Sequence, residues 1–453
     1  MVATSVWNMN DPKSGHAASG RPLKVCLHVA IPTVKENLPL PLSAKARLKR
    51  LAVQVRDWCA WSWNRSFLFR SSHYARTSYS NRGDIAIKLA IRELLQDSFA
   101  GHAVEFIETE WGRLDAAQLQ HIQKDVDLFV IAGGGYWVFN RDRKLSPVFL
   151  ADLPFMLSMP CPLVVFGAGV NFNLPEGATR MEGTIDPALQ NALLAFDRKV
   201  ALFGVRCRSS LDFFRSQGLV KPQLLCDPAI FKRLIAPSAA GPTYLRGASA
   251  QLAIGINFAF HGKFVEQLLK RNLATYIAFL KNIADRYQPR FYYFIHSDEE
   301  FLIARLLCGA GIALEVVDVP ADQLAHAYRQ VDGLVCQMMH SNILSFCAGV
   351  PALNIAYDAK NFGFNELIEM QDWCISAYEL DSDSLTERMS ALIENRGQLA
   401  RAMAMKKQEL GQVMKLFQNK VSGLIFESID GGRVAADHRL KIEKNDMSSA
   451  RGM

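Results

Sequence analysis

Two arginines stand where an anion could be held. Arg206 closes the apolar run ALFGVR (201–206), and Arg208 follows just before the helical stretch SSLDFFRSQG, whose N-cap the pattern assigns to Ser209 or Ser210. Arginine presents a fixed fork of N–H donors that matches phosphate or carboxylate, and a helix N-terminus beneath it adds the positive end of a dipole. At the end of another apolar run, DGLVCQ (332–337), the residues Met339-His340-Ser341-Asn342 open a second helix. An imidazole there titrates near neutral pH, so His340 is either a candidate for proton transfer or a capping or packing residue, and Ser341 beside it at the helix start is a candidate for donor binding. Met338 and Met339 read as apolar filling. His28 and His296, in or at the end of strands, either face the cleft or are satisfied structural residues, the commoner case.

Two further junctions carry candidates. Asn81 to Asp84 precede a helix that the apolar spacing starts near Asp84, which is either a ligand contact or a helix cap. Gly133-Gly134-Gly135 follows the run DLFVIAG (127–133). Glycine lacks a Cβ and tolerates positive φ, so this loop either lets backbone approach a ligand or simply turns after a buried strand. Other chemistries have no signature. Val138 stands where a dinucleotide fingerprint needs its third glycine, and there is no Walker A, HExxH, GxSxG or Cys/His cluster. No metal site is expected.

These junctions need rigid elements behind them. Apolar runs at 23–31, 103–108, 127–133, 163–169 and 201–206 alternate with helical stretches, and the alternation resumes with runs at 251–258, 291–296, 313–319, 332–337 and 352–357. Continuous apolar strands separated by helices make parallel sheets covered on both faces. The expected fold is α/β, two Rossmann-like domains (22–235 and 251–430) facing a cleft. Residues 236–250, rich in Pro, Gly, Ala and Ser, read as a linker, 1–21 as a flexible lead-in and 431–453 as a flexible tail. The stretch 381–418 reads as two helices.

The chain has 453 residues, 50% hydrophobic and 21% charged, which fits sizeable globular cores. No run is long and apolar enough for a transmembrane helix, and the start lacks the regions of a signal peptide. Nine scattered cysteines without a CxxC pair fit free thiols in a reducing compartment, so a cytoplasmic location is expected. The net charge of +7 is concentrated: residues 43–76, inside an insert at about 35–78, hold eight basic residues against Asp57 alone, with Trp58, Trp61 and Trp63 interleaved. That pairing suits peripheral contact with an anionic membrane, docking to a partner, or a helix packed on its own protein. With no zinc-finger or RNP pattern, nucleic acid is not an expected partner.

In order and spacing, these loops resemble the polysaccharide pyruvyl transferase family. The motifs are Asn81-Arg82-Gly83-Asp84, Asp127 through Gly135, Gly167-Ala168-Gly169, Arg206 with Ser209 or Ser210 and Asp227-Pro228, then His340, Gly349, Pro351, Tyr357, Lys360 and Gly363. Two positions depart from the pattern: the insert is not a family feature, and Met338 replaces an arginine two places before the histidine. The resemblance implies a GT-B-like fold and transfer of a pyruvyl group from phosphoenolpyruvate, the donor substrate, to two hydroxyls of a sugar, forming a ketal without a further cofactor. It implies donor-site roles for Arg206, His340 and Lys360, with Arg208 a substitute for the arginine missing at Met338. A lipid-linked sugar at the inner membrane face would suit the basic segment. A glycosyltransferase using a nucleotide sugar, and a non-catalytic scaffold of polysaccharide assembly, are the alternatives.

Overall fold

A computed structural model gives the fold and describes residues 21–33, 48, 52, 81–235 and 251–449, omitting 115, 141–142, 174–175, 177, 179–184, 261 and 298–299, with side chains to Phe426. The lead-in, the basic segment 43–76 and the linker 236–250 lie wholly or largely outside the described residues.

The first half begins with β1 (Leu23–Val29), then α1 (Arg82–Ser98), β2 (Val104–Glu110), α2 (Ala116–Asp125) and β3 (Leu128–Ala132). A short strand β4 (Trp137–Phe139) and α3 (Pro147–Ser158) lead to β5 (Leu163–Ala168) and a second short strand, β6 (Val170–Phe172). The half continues through α4 (Pro187–Lys199), β7 (Leu202–Val205), α5 (Arg208–Ser216), β8 (Pro222–Leu224) and a 3-10 turn at Pro228–Phe231. Six strands form one sheet in the order β2-β1-β3-β5-β7-β8, while β4 and β6 pair separately.

The second half comprises β9 (Ala253–Asn257), α6 (Gly262–Tyr287), β10 (Arg290–Phe294), α7 (Phe301–Gly309), β11 (Leu314–Val317) and α8 (Ala321–Tyr328). It goes on with β12 (Gly333–Cys336), α9 (Met339–Ala348), β13 (Ala352–Ala356), α10 (Ala359–Leu367), β14 (Cys374–Ser376) and α11 (Ser382–Ser449). Its sheet order is β11-β10-β9-β12-β13-β14.

All pairings in both sheets are parallel. Strands β3, β5, β9, β12 and β13 are buried at every residue, as strands covered on both faces must be. The second sheet has the doubly wound Rossmann order. The first instead runs 2-1-3-4-5-6, a flavodoxin-like order, so its crossover reverses between β1 and β3.

The halves share apolar contacts. One continuous core joins Ile87, Ile91 and Leu95 of α1 to Ala325 and Tyr328 of α8 and to Met339 and Ile343 of α9. A single helix, α11, runs from Ser382 to Ser449, where the sequence pattern gives two helices and a polar tail. It stays whole because both parts find a partner. Near its start Leu392 packs against Gly333 of the second sheet. Farther on, Phe417 meets Phe166 edge-on at 5.2 Å and Gln418 donates to the Leu94 carbonyl at 2.7 Å.

Candidate active site

The carboxyl ends of both sheets meet, and the helices that start there bring the charged groups together. Asn81 is the N-cap of α1: its side-chain oxygen accepts from Gly83 N at 3.2 Å. Asp84 therefore sits in the first turn and is not the cap, which frees its carboxylate for the cleft while the helix dipole favours its charge. Burial pushes its carboxyl up to about 6, with Asp227 acting the same way and Arg206 and Lys360 opposing.

His340 faces Asp84 from the other half. Its Nε2 lies 3.7 Å from Asp84 Oδ1, with side chains 12% and 20% exposed. The imidazole rests on Gly83, where any Cβ would collide with it. The pair thus joins α1 to α9 and puts a titratable carboxyl beside a titratable ring.

Arg206 directly follows β7 and is 1% exposed. Its Nη2 donates to Asn171 Oδ1 at 2.7 Å and its Nη1 is 3.6 Å from Asp227 Oδ2. The Nε and Nη1 donors make no hydrogen bond among the described residues. Buried donors are normally satisfied, so Nε stands out as a donor without a partner, while Nη1 faces the Asp227 carboxylate. Burial raises the pKa of Asp227, and Arg206 opposes that rise.

Lys360 opens α10, whose N-cap Asp358 accepts from Lys360 N at 3.0 Å and from Phe172 N of the first half at 3.2 Å. Its ammonium lies over the Tyr357 ring, 5.6 Å from the centroid. Burial lowers the lysine pKa, and Asp358 is the main group opposing that. Arg206, Lys360, Asp84 and His340 therefore form one cluster at the junction of the two sheets.

Several expected site residues lie elsewhere. Arg208 is exposed on the first turn of α5, whereas Arg206 is buried. The N-cap of α5 is Cys207, not Ser209 or Ser210, and the Ser210 hydroxyl accepts from Val170 N at 3.0 Å. Ser341 is fully buried and turned into the second half: it donates to Asn257 Oδ1 at 2.7 Å and lies 3.0 Å from His296 Nε2. It is not placed to hold a donor. Met338 is buried in the apolar core of the second half.

The glycine run is also occupied by the protein itself. A Cβ on Gly133 would lie 2.2 Å from Ile87 Cγ2, on Gly134 2.9 Å from Trp111 Cη2, and on Gly135 2.1 Å from Asn171 Nδ2. The missing side chains make room for the packing that holds Asn171, and through it Arg206. Gly133 and Gly134 also have φ of +65° and +70°, as the strand-to-loop turn needs.

His28 and His296 are both fully buried. His28 is held between Thr109 at 2.9 Å and Asp152 at 2.8 Å, and His296 sits 2.8 Å from the Tyr328 hydroxyl. Burial drives the His296 pKa down to about 3, with Arg82 adding to the effect. Asn171 and Asp358 were not read from sequence as site residues. Asn171, the polar centre of an otherwise apolar three-residue strand, and Asp358, at an N-cap position before Ala359-Lys360, carried local signals of their roles.

Among solved structures the chain is similar to the S. aureus MnaA–UDP complex, 11% identical with a TM-score of 0.47 over 71% of this chain and 88% of that one. The UDP-GlcNAc 2-epimerase of Neisseria meningitidis bound to UDP-GlcNAc is 12% identical with a TM-score of 0.46, covering 74% of this chain and 96% of that one. The glycosyltransferase SnogD of Streptomyces nogalater is 14% identical with a TM-score of 0.41, covering 76% and 96%. A comparison with curated proteins finds no match. The family model of polysaccharide pyruvyl transferase matches residues 81–359, more than half of the chain and the whole span from the Asn81 cap to the start of α10. The chain belongs to the polysaccharide pyruvyl transferase family.

Proposed function

We propose that the protein transfers a pyruvyl group from phosphoenolpyruvate to two hydroxyls of a polysaccharide sugar or its lipid-linked precursor, forming a cyclic ketal and releasing phosphate. The observation that carries this reading is Arg206: a buried guanidinium whose Nε has no hydrogen-bond partner among the described residues, beside Lys360 and the Asp84–His340 pair. A phosphate and a carboxylate on one small donor need such fixed cationic groups.

In this reading His340, oriented by Asp84, gives a proton to the methylene carbon of phosphoenolpyruvate, which becomes a methyl group. One sugar hydroxyl bonds to the neighbouring carbon and loses its proton. The second hydroxyl then takes the place of phosphate on that carbon and loses its proton in turn. Phosphate leaves with the electron pair of its C–O bond, held by Arg206 and Lys360. Acid–base help of this kind contributes about 10²- to 10⁴-fold. The reaction needs no further cofactor.

Among the described residues no helix is long and apolar enough to cross a membrane. The basic, tryptophan-rich residues 43–76 would hold the protein at the cytoplasmic face, where a lipid-linked acceptor is presented.

Thermal denaturation with phosphoenolpyruvate, phosphate and a panel of nucleotide sugars tests the donor. Stabilisation by phosphoenolpyruvate is expected, about 2.7 kcal/mol at 100 times Kd. Stabilisation by a nucleotide sugar alone would replace pyruvyl transfer with glycosyl transfer, and silence from every ligand would favour the scaffold.

A further inference from the structure

We infer that Trp111 is the stacking platform for the acceptor sugar, a role that rests on the transfer reaction proposed above. Trp111 follows β2, is half-buried, and is fixed at three points. Its backbone N–H donates to the Val29 carbonyl at 3.0 Å, its indole Nε1 to the His28 carbonyl at 2.8 Å, and its ring meets Tyr136 edge-on at 5.0 Å. The outer edge of the indole reaches the glycine loop after β3: the position a Cβ would take on Gly134 is 2.9 Å from Trp111 Cη2 and 3.5 Å from Asp84 Oδ1. One point in space therefore locates the aromatic edge and the carboxylate of the proton-transfer pair together.

That point lies outside the carboxyl ends of β1 and β3, between which the first sheet reverses its order. Parallel sheets bind ligands in the crevice at such a reversal. The anion-holding groups Arg206 and Lys360 come from other junctions, the residue after β7 and the first turn of α10. A pyranose has an apolar C–H face and a rim of hydroxyls, and a rigid indole offers a large flat surface with little entropy to lose on binding. Stacked there, the sugar would present its hydroxyl rim to Asp84 and His340.

Saturation-transfer NMR with methyl β-D-galactopyranoside and methyl β-D-glucopyranoside on the full chain tests this without turnover. In the unchanged protein, saturation of the ring C–H protons of at least one glycoside is expected. It should fall at least fivefold in Trp111→Ala and in part in Trp111→Phe. The stabilisation by phosphoenolpyruvate should be the same in all three, which also reports that the variants fold. Equal saturation in Trp111→Ala, or none in the unchanged protein at about 100 glycosides per chain, overturns the platform. If phosphoenolpyruvate stabilises nothing, the donor reading fails, while the glycoside signal still decides the role of Trp111, with near-ultraviolet circular dichroism as the check on folding.

Discussion

A Cβ on Gly83 would stand 2.0 Å from Nδ1 of His340 and 2.4 Å from its Cβ, so the first turn of α1 and the first turn of α9 touch at a position that only glycine can fill. The contact crosses from one half of the molecule to the other. Arg82, next to Gly83, ties the same turn to the second half: its backbone N–H donates to the His296 carbonyl at 2.9 Å and its Nη1 to the Ile295 carbonyl at 2.8 Å. The spacing of Asp84 and His340 is therefore set by the docking of two helices.

Gly83→Ala should consequently lower both stability and catalysis. In an exposed helix the change would stabilise by about 0.5–1 kcal/mol. Here the added Cβ would lie 2.4 Å from His340 Cβ, which no ring rotation can move, so α1 and α9 must part and the imidazole is carried away from Asp84. Turnover is expected to fall about 100-fold, with the Km for phosphoenolpyruvate changed less than threefold. Steady-state kinetics separate the two, and unchanged turnover would remove His340 from the mechanism.

The pH dependence should carry the signature of Asp84. With its carboxyl raised to about 6, activity that needs the carboxylate falls as pH drops through about 6. Asp84→Asn should lose that acid limb along with most of its activity. Stability moves the other way. The folded carboxyl binds protons more tightly than the unfolded one, so its cost is absent at acid pH and grows as pH rises from about 4 to about 6. Above that, Asp84→Asn should be more stable than the parent by about 3 kcal/mol, read from urea midpoints at pH 8.

Arg206 is best tested by lysine. Arg206→Ala would leave Asp227 buried beside no cation, which costs about 3–5 kcal/mol and confuses folding with binding. Arg206→Lys keeps the charge but removes the fork and the bond to Asn171. The Km for phosphoenolpyruvate is expected to rise about 10- to 100-fold in initial-rate measurements, and Gly135→Ala, which would displace Asn171, should reproduce part of that loss.

His296 should govern acid stability. Its pKa of about 3 lies well below the unfolded value of 6.5, so the neutral ring contributes stability above about 6.5 that is lost as pH falls toward 3. By pH 5 the loss should be about 2 kcal/mol. In His296→Gln the urea midpoint should vary less between pH 7.5 and pH 5 than in the parent. An equal slope would place the acid sensitivity elsewhere.

Much of this molecule follows from local sequence. Runs such as LFVIA and LVVFGA are apolar at every residue because both faces of their strands are covered, and that alone predicts parallel sheets with ligand groups at their ends. The positions of Arg206, His340 and Asp84 at strand–helix junctions follow from the same alternation. What stayed hidden depends on direction and distance. Ser341 follows His340, yet successive helical side chains point about 100° apart, so one faces the cleft and the other the core. Arg208 and Arg206 part for a related reason: the strand end buries one and the first helical turn exposes the other. The purpose of Gly83, Gly134 and Gly135 appears only when His340, Trp111 and Asn171 arrive from distant parts of the chain to fill the space their missing Cβ atoms leave. Sequence thus determined which groups stand at the ends of the strands. Only the packing of the two halves decided which of them meet, because contacts across the chain are set by how helices dock and not by what each segment prefers alone.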